Sequence, residues 1–135
     1  MSLKGVVSMK FLIILLWTLS FQVQARKSFI VPYTAENFST LVAKKKDFAV
    51  YFYATWCPKC RVQKNLIDKY LKSKKEVKEI LLADYDSEIT LRKKYKVFVQ
   101  GTMLHFVKGK EVAADRLIAE VDTDKIKYFL DKISK

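Results

Sequence analysis

The sequence predicts an α/β domain in which a central mixed β-sheet carries helices on both faces. Short apolar runs of strand length alternate with segments of helical period, and the last two strand segments are joined by a Lys-Gly-Lys turn that makes them an antiparallel pair. Strands separated by helices need right-handed crossovers, which cover the sheet faces. With 135 residues, 50% of them apolar, and only 3 Gly and 2 Pro, the chain fits one packed domain and excludes disordered and repetitive classes.

Phe29-Ile30-Val31 is short, apolar and bounded by Pro32, as in an edge strand. Thr34 is placed to cap a helix Ala35–Ala43 with Phe38, Leu41 and Val42 on one face, and Lys44-Lys45-Lys46-Asp47 is its solvated end. Phe48–Tyr53 is an uninterrupted apolar and aromatic run, the pattern of a strand buried on both faces. From Cys60 to Lys75 apolar residues recur at Val62, Leu66, Ile67 and Tyr70/Leu71, a helical period with lysines opposite. Ile80–Ala83 reads as another buried strand, and Asp86 as the cap of a helix to about Tyr95 with Ile89 and Leu91 inward. Thr102–Val107, the turn Lys108-Gly109-Lys110 and Glu111–Ala114 form a hairpin. Asp122 or Thr123 caps a last helix to Ile133, whose stripe is Ile126, Phe129, Leu130 and Ile133. The order is β-α-β-α-β-α-β-β-α.

The first 25 residues read differently. Lys4 and Lys10 stand in a leader without acids, an apolar run follows from Phe11 to Phe21, and Val23-Gln24-Ala25 offers small residues at −3 and −1 of a cut after Ala25. The run is short of the ~20 residues a membrane-crossing helix needs. Residues 1–25 are therefore expected to be a cleaved secretory signal peptide, leaving residues 26–135 as one domain with no stable membrane span. That domain is expected in the secretory pathway or another extracytoplasmic space, secreted, periplasmic or vacuolar, where disulfides form and persist. The net charge of +12 leaves acidic partners and surfaces open. A nucleic-acid footprint would interleave aromatics with the charge, and the lysine cluster 69–78 does not; it reads as a solvated helix end with Glu76 and Glu79 as partners.

The chain has 2 cysteines. Trp56-Cys57-Pro58-Lys59-Cys60 stands where a buried strand ends and an amphipathic helix begins. A helix start carries unpaired N–H groups and the positive end of the dipole, which favour a thiolate at Cys57. Pro58 suits the first helical turn, and Lys59 and Arg61 add positive charge. Cys60 lies one turn on, close enough to attack a mixed disulfide formed at Cys57. A structural zinc site would need four ligands, and beyond Cys57 and Cys60 only His105 remains of the usual soft set. A structural disulfide over so short a loop would stabilise little. Cys57 is thus expected as nucleophile and Cys60 as resolving thiol, with no metal and no bound cofactor.

The Cys-x-x-Cys in this setting resembles the thioredoxin superfamily over nearly all of residues 29–133. Thr34-Ala35-Glu36-Asn37-Phe38 resembles the start of the first helix of protein disulfide isomerase catalytic domains, and Phe52-Tyr53-Ala54-Thr55-Trp56-Cys57 their strand into the active site. Asp84-Tyr85-Asp86, Tyr95-Lys96-Val97, Thr102–Phe106 and Glu111–Ala114 resemble further family segments. The resemblance implies a thioredoxin fold. It also implies a thiol–disulfide oxidoreductase of protein disulfides, served by an upstream thiol reductant or oxidant, which the leader would place outside the cytosol. Trp56, Pro58, Lys59, Gly101 and Thr102 would form its substrate-binding surface. The alternative it implies is a weakly catalytic accessory subunit of a protein-folding or protein-export complex, as for some secreted parasite members.

Three departures bear on that expectation. The family usually has a cis-proline before the threonine that is Thr102 here, and this chain has Gly101. A cis bond without proline costs about 3–4 kcal/mol, so a trans bond, or a shifted alignment, is expected, with altered substrate docking. The family's buried acid two residues before Tyr53 is Tyr51, which implies slower resolution by Cys60. Pro58-Lys59 replaces the usual Gly-Pro or Gly-His; the proline is placed as in glutaredoxins, but their Thr-Val-Pro glutathione segment is missing. His105, without an acid or nucleophile at motif spacing, is expected as an outward-facing structural histidine.

Overall fold

A computed structural model describes residues 29–134, so the leader predicted over residues 1–25 lies outside the described residues. The chain runs β1 (Ile30–Pro32), α1 (Ala35–Ala43), β2 (Phe48–Tyr53), α2 (Pro58–Leu71), β3 (Ile80–Asp84), α3 (Ile89–Lys94), β4 (Thr102–Val107), β5 (Lys110–Ile118) and α4 (Thr123–Ser134). The five strands form one mixed sheet in the order β1-β3-β2-β4-β5. β3 pairs parallel with β1 and β2, while β4 pairs antiparallel with β2 and β5. This is the thioredoxin fold that the resemblance implied.

β2 holds the centre because both of its faces are apolar. Alternate side chains point to opposite faces of a strand. Ala49 and Tyr51 join one core with Ile67 and Leu71 of α2 and Ile126, Phe129, Leu130 and Ile133 of α4. Phe48, Val50 and Phe52 join the other with Phe38 of α1 and Leu91 of α3. Phe48 stacks on Phe106 at 4.5 Å, and Phe38 meets both rings edge-on. Burying each such ring contributes about 1.5–3 kcal/mol, so the strand that leads to the cysteines is anchored on two sides.

The helix starts follow local hydrogen bonding. Thr34 Oγ1 accepts from the Asn37 N–H at 3.0 Å and Asn37 Oδ1 accepts from the Thr34 N–H at 2.9 Å, a reciprocal box that begins α1 as expected. Asp122 accepts from the N–H groups of Asp124 and Lys125 at the start of α4.

Several expectations need correction. α2 ends at Leu71 rather than near Lys75, and its buried face is Cys60, Gln63, Ile67 and Leu71, with Val62 half exposed. The period from Cys60 selects position 63, so a glutamine takes the inward place that apolarity assigned to Val62. Asp86 does not cap α3. Asp84 Oδ1 instead accepts from the N–H groups of Asp86 and Ser87, and Ile89 points outward at 47% exposure. β5 continues to Ile118, beyond the expected Ala114, because Met103 and Thr102 extend the pairing to Leu117 and Ile118. His105 is buried rather than outward-facing: it lies on the α4 side against the Phe129 ring, with Nδ1 3.6 Å from Asp115 Oδ2. In the lysine cluster, Lys74 pairs with Asp131 of α4 at 3.0 Å, rather than with Glu76 or Glu79.

Candidate active site

The strand β2 ends at Tyr53 and the chain turns through Ala54, Thr55 and Trp56 into α2. Cys57 is the N-cap of that helix, and its Sγ accepts the backbone N–H of Cys60 at 3.2 Å. The cap position thus aims one of the helix's free N–H groups at sulfur, where negative charge is favoured. Pro58 occupies the first helical position, where no N–H is missed. The two cysteines are unlinked, Cys57 at 5% exposure and Cys60 at 0%. An incoming sulfur therefore reaches Cys57 first, and Cys60 can act only through it.

Burial, and then the hydrogen-bonded contact with Cys57, pushes the Cys60 thiol from its ordinary 9.0 up to about 11. No carboxylate stands at the β2 position below it. Tyr51, fully buried, donates its phenol O–H to the Cys60 carbonyl at 3.1 Å, and burial raises the phenol well above its ordinary value. Such a phenol keeps its proton.

Of the residues expected to bind substrate, Trp56, Pro58 and Lys59 are exposed beside Cys57. The Trp56 indole N–H donates to Asp86 Oδ2 at 2.7 Å, which anchors the ring next to Cys57 in the chain. Arg61, offered with Lys59 as local positive charge, donates instead to the Thr55 carbonyl at 3.5 Å. Gly101 and Thr102 reach the site from below and are buried. Among the described residues no peptide bond is cis, and Gly101 takes φ +78°, a left-handed conformation that suits glycine. Its N–H donates to the Phe52 carbonyl at 2.8 Å and its carbonyl accepts from the Ala119 N–H at 3.0 Å. Thr102 Oγ1 donates to the Val99 carbonyl at 2.7 Å. Both groups of the Gly101 backbone are therefore engaged within the chain.

Sequence reasoning missed five contributors. Tyr85 packs against the cluster of Ala54, Cys57 and Cys60, and its hydroxyl donates to the Phe98 carbonyl at 2.8 Å. Arg92 lies over the Tyr85 ring at 3.8 Å, holding it in place. Phe98 and Val99 precede Gly101 and are exposed at 79% and 41%, apolar side chains on the loop that Tyr85 ties to the site. The apolar run Val97-Phe98-Val99 was the only available signal for them. The fifth is Gln63, whose sole signal was the helical period counted from Cys60.

A family model described as thioredoxin matches residues 29–132. Thioredoxin-1 of Saccharomyces cerevisiae is 34% identical over 80 residues, 59% of this chain and 77% of that one. Protein disulfide isomerase-like 2-1 of Oryza sativa is 31% identical over 97 residues, 70% of this chain but only 26% of that protein's length. Among solved structures, the thioredoxin of Fasciola hepatica aligns with TM-score 0.62 at 25% identity, covering 77% of this chain and 97% of that one. Trxlp of Edwardsiella tarda aligns with TM-score 0.67 at 24% identity, over 75% and 97%, a likeness of fold.

Proposed function

The chain belongs to the thioredoxin family and is a thiol–disulfide oxidoreductase of that family, and from that premise we propose that its substrates are protein disulfides met outside the cytosol. The observation that carries the substrate class is the setting of Cys57. A nearly buried sulfur follows exposed Trp56, and the loop of exposed Phe98 and Val99 is tied through the Phe98 carbonyl to the hydroxyl of Tyr85, which packs against the cysteines, a surface suited to an extended polypeptide.

In the proposed cycle the Cys57 thiolate attacks one sulfur of a substrate disulfide. The Cys57–substrate bond forms, the substrate S–S bond breaks, and the departing sulfur leaves as a thiolate that takes a proton from solvent. Cys60 then attacks Cys57 Sγ: the Cys57–Cys60 bond forms, the mixed disulfide breaks, and the Cys60 proton ends on the second substrate thiol. Two electrons pass to the substrate, and an external thiol reductant restores the dithiol. Run in reverse, with an external oxidant, the pair donates its disulfide.

The extracytoplasmic location rests on the leader sequence, Lys4 to Ala25. The two parts have separate tests. Residues 26–135 should reduce a disulfide-bonded protein in the presence of a thiol reductant, and Cys57→Ser should abolish this; an unchanged rate in that variant defeats the cycle. Cys60→Ser should accumulate mixed disulfides with many proteins in cells. One stable non-covalent partner set in their place would make the chain an accessory subunit instead. N-terminal sequencing of the protein from cells should find Arg26 first, and retention of Met1 would remove the secretory reading.

A further inference from the structure

Resolution requires that the most buried sulfur of the site become an anion. Neither Tyr51, which keeps its proton, nor any carboxylate at that β2 position assists it. Of the buried polar side chains there, Thr102 is committed to the Val99 carbonyl, which leaves Gln63. Gln63, one turn beyond Cys60 on the inner face of α2, is fully buried, and neither Nε2 nor Oε1 has a hydrogen-bond partner among the described residues. Buried carboxamides are nearly always satisfied, so an unpartnered one at a core position flanked by Ile67 and Leu71 calls for a cause.

Gly101 locates its cause. A Cβ placed on Gly101 would lie 3.0 Å from Gln63 Oε1 and 3.5 Å from Cys60 Sγ. The carboxamide and the resolving sulfur thus border one small space, which stays open because residue 101 has no side chain. A χ rotation of the carboxamide exchanges its oxygen for its N–H groups on the side facing that space.

We propose that Gln63 stabilises the resolving thiolate, turning an N–H toward Cys60 Sγ as that sulfur loses its proton in the mixed disulfide. The neutral thiol asks little of the amide, whereas the anion accepts a charge-assisted hydrogen bond in a water-poor interior, so the interaction grows as the step proceeds. The step is otherwise as above: the bond between Cys60 and Cys57 forms, the bond to the substrate sulfur breaks, and the proton leaves with the substrate thiol. The inference rests on the reading of Cys57 and Cys60 as an exchanging pair.

The test is a single turnover with an aromatic disulfide that releases one coloured thiolate on attack by Cys57 and a second on resolution by Cys60. Cys60→Ser should show the first release alone. In Gln63→Met and Gln63→Leu the first release should be unchanged, while the second slows about tenfold at neutral pH and its pH midpoint moves up by about one unit. Both variants should be at least as resistant to urea as the parent, since each removes an unpaired buried amide. If both raise stability but leave the second release and its pH midpoint as in the parent, Gln63 has no part in resolution. Absence of the first release from the unaltered protein would instead overturn the oxidoreductase reading itself.

Discussion

The phenol of Tyr51 donates to the carbonyl of Cys60 across 3.1 Å, joining the middle of the central strand to the first turn of the helix that bears both thiols. The position that carries a buried acid in the relatives this chain resembles is therefore a structural tie here. It fixes the helix against the sheet and supplies no base.

Tyr51→Phe should accordingly cost about 1 kcal/mol of stability, the worth of one buried hydrogen bond whose acceptor stays in a helix. Its resolving rate should keep the parent's pH profile, because the phenol is held protonated by burial. Urea unfolding and single-turnover release at several pH values check the two halves. A pH profile displaced by this change would show that the phenol takes part in proton transfer.

The raised Cys60 thiol has a consequence for stability. Folded, it holds its proton up to about 11, against an ordinary value of 9.0, so the folded state binds the proton more tightly than the unfolded state. The stabilisation is complete below pH 9 and is lost as the pH rises toward about 11. Reduced parent protein should therefore lose more stability than Cys60→Ser across that interval, measured by urea unfolding under a thiol reductant. Equal losses would place the Cys60 proton on the same footing in both states.

Much of this architecture was legible in the sequence because local and global signals agree there. The aromatic run Phe48–Tyr53, the box at Thr34 and Asn37, and the stripe Ile126-Phe129-Leu130-Ile133 each have one structural use. Cys57 and Cys60 were legible for the same reason: a strand, a helix start and a proline coincide at them. What escaped was set by tertiary contact. Gln63 took an inward position against its polarity, and Val62 lost it. His105 was buried through Phe129 and Asp115, both distant in sequence. Asp86 left the helix start to bind Trp56, and Asp84 took over the turn. Polar residues that choose between several partners are read poorly from one strand of letters, since the choice depends on geometry the sequence does not display.

The Trp56–Asp86 bond offers a substrate-side test. Both residues are exposed, so Asp86→Ala should change stability by no more than about 0.5 kcal/mol. Released from its 2.7 Å anchor, the indole should cover the site less consistently. The expected result is a KM for protein disulfides raised about threefold with kcat little changed, and an altered emission from Trp56, the sole tryptophan of residues 26–135. A fall in kcat at constant KM would assign Asp86 to the exchange chemistry instead.

Gly101 makes the sharpest case, because simple restoration of the family's residue should fail. Proline fixes φ near −65°, whereas Gly101 stands at +78°. Proline also lacks the N–H that Gly101 donates to the Phe52 carbonyl at 2.8 Å. Its Cβ would press on Gln63 Oε1, 3.0 Å from the ideal position. Gly101→Pro should therefore destabilise the protein by about 3 kcal/mol or more. Gly101→Ala keeps the N–H but meets the same left-handed backbone and the same crowding, and should cost about 1–2 kcal/mol. Urea unfolding should rank the parent above the alanine variant and that above the proline variant, with neither gaining exchange rate. A proline variant as stable as the parent and faster in exchange would mean that residues 98–101 had adopted the backbone of the relatives, and that the glycine conformation described above is readily exchanged for it.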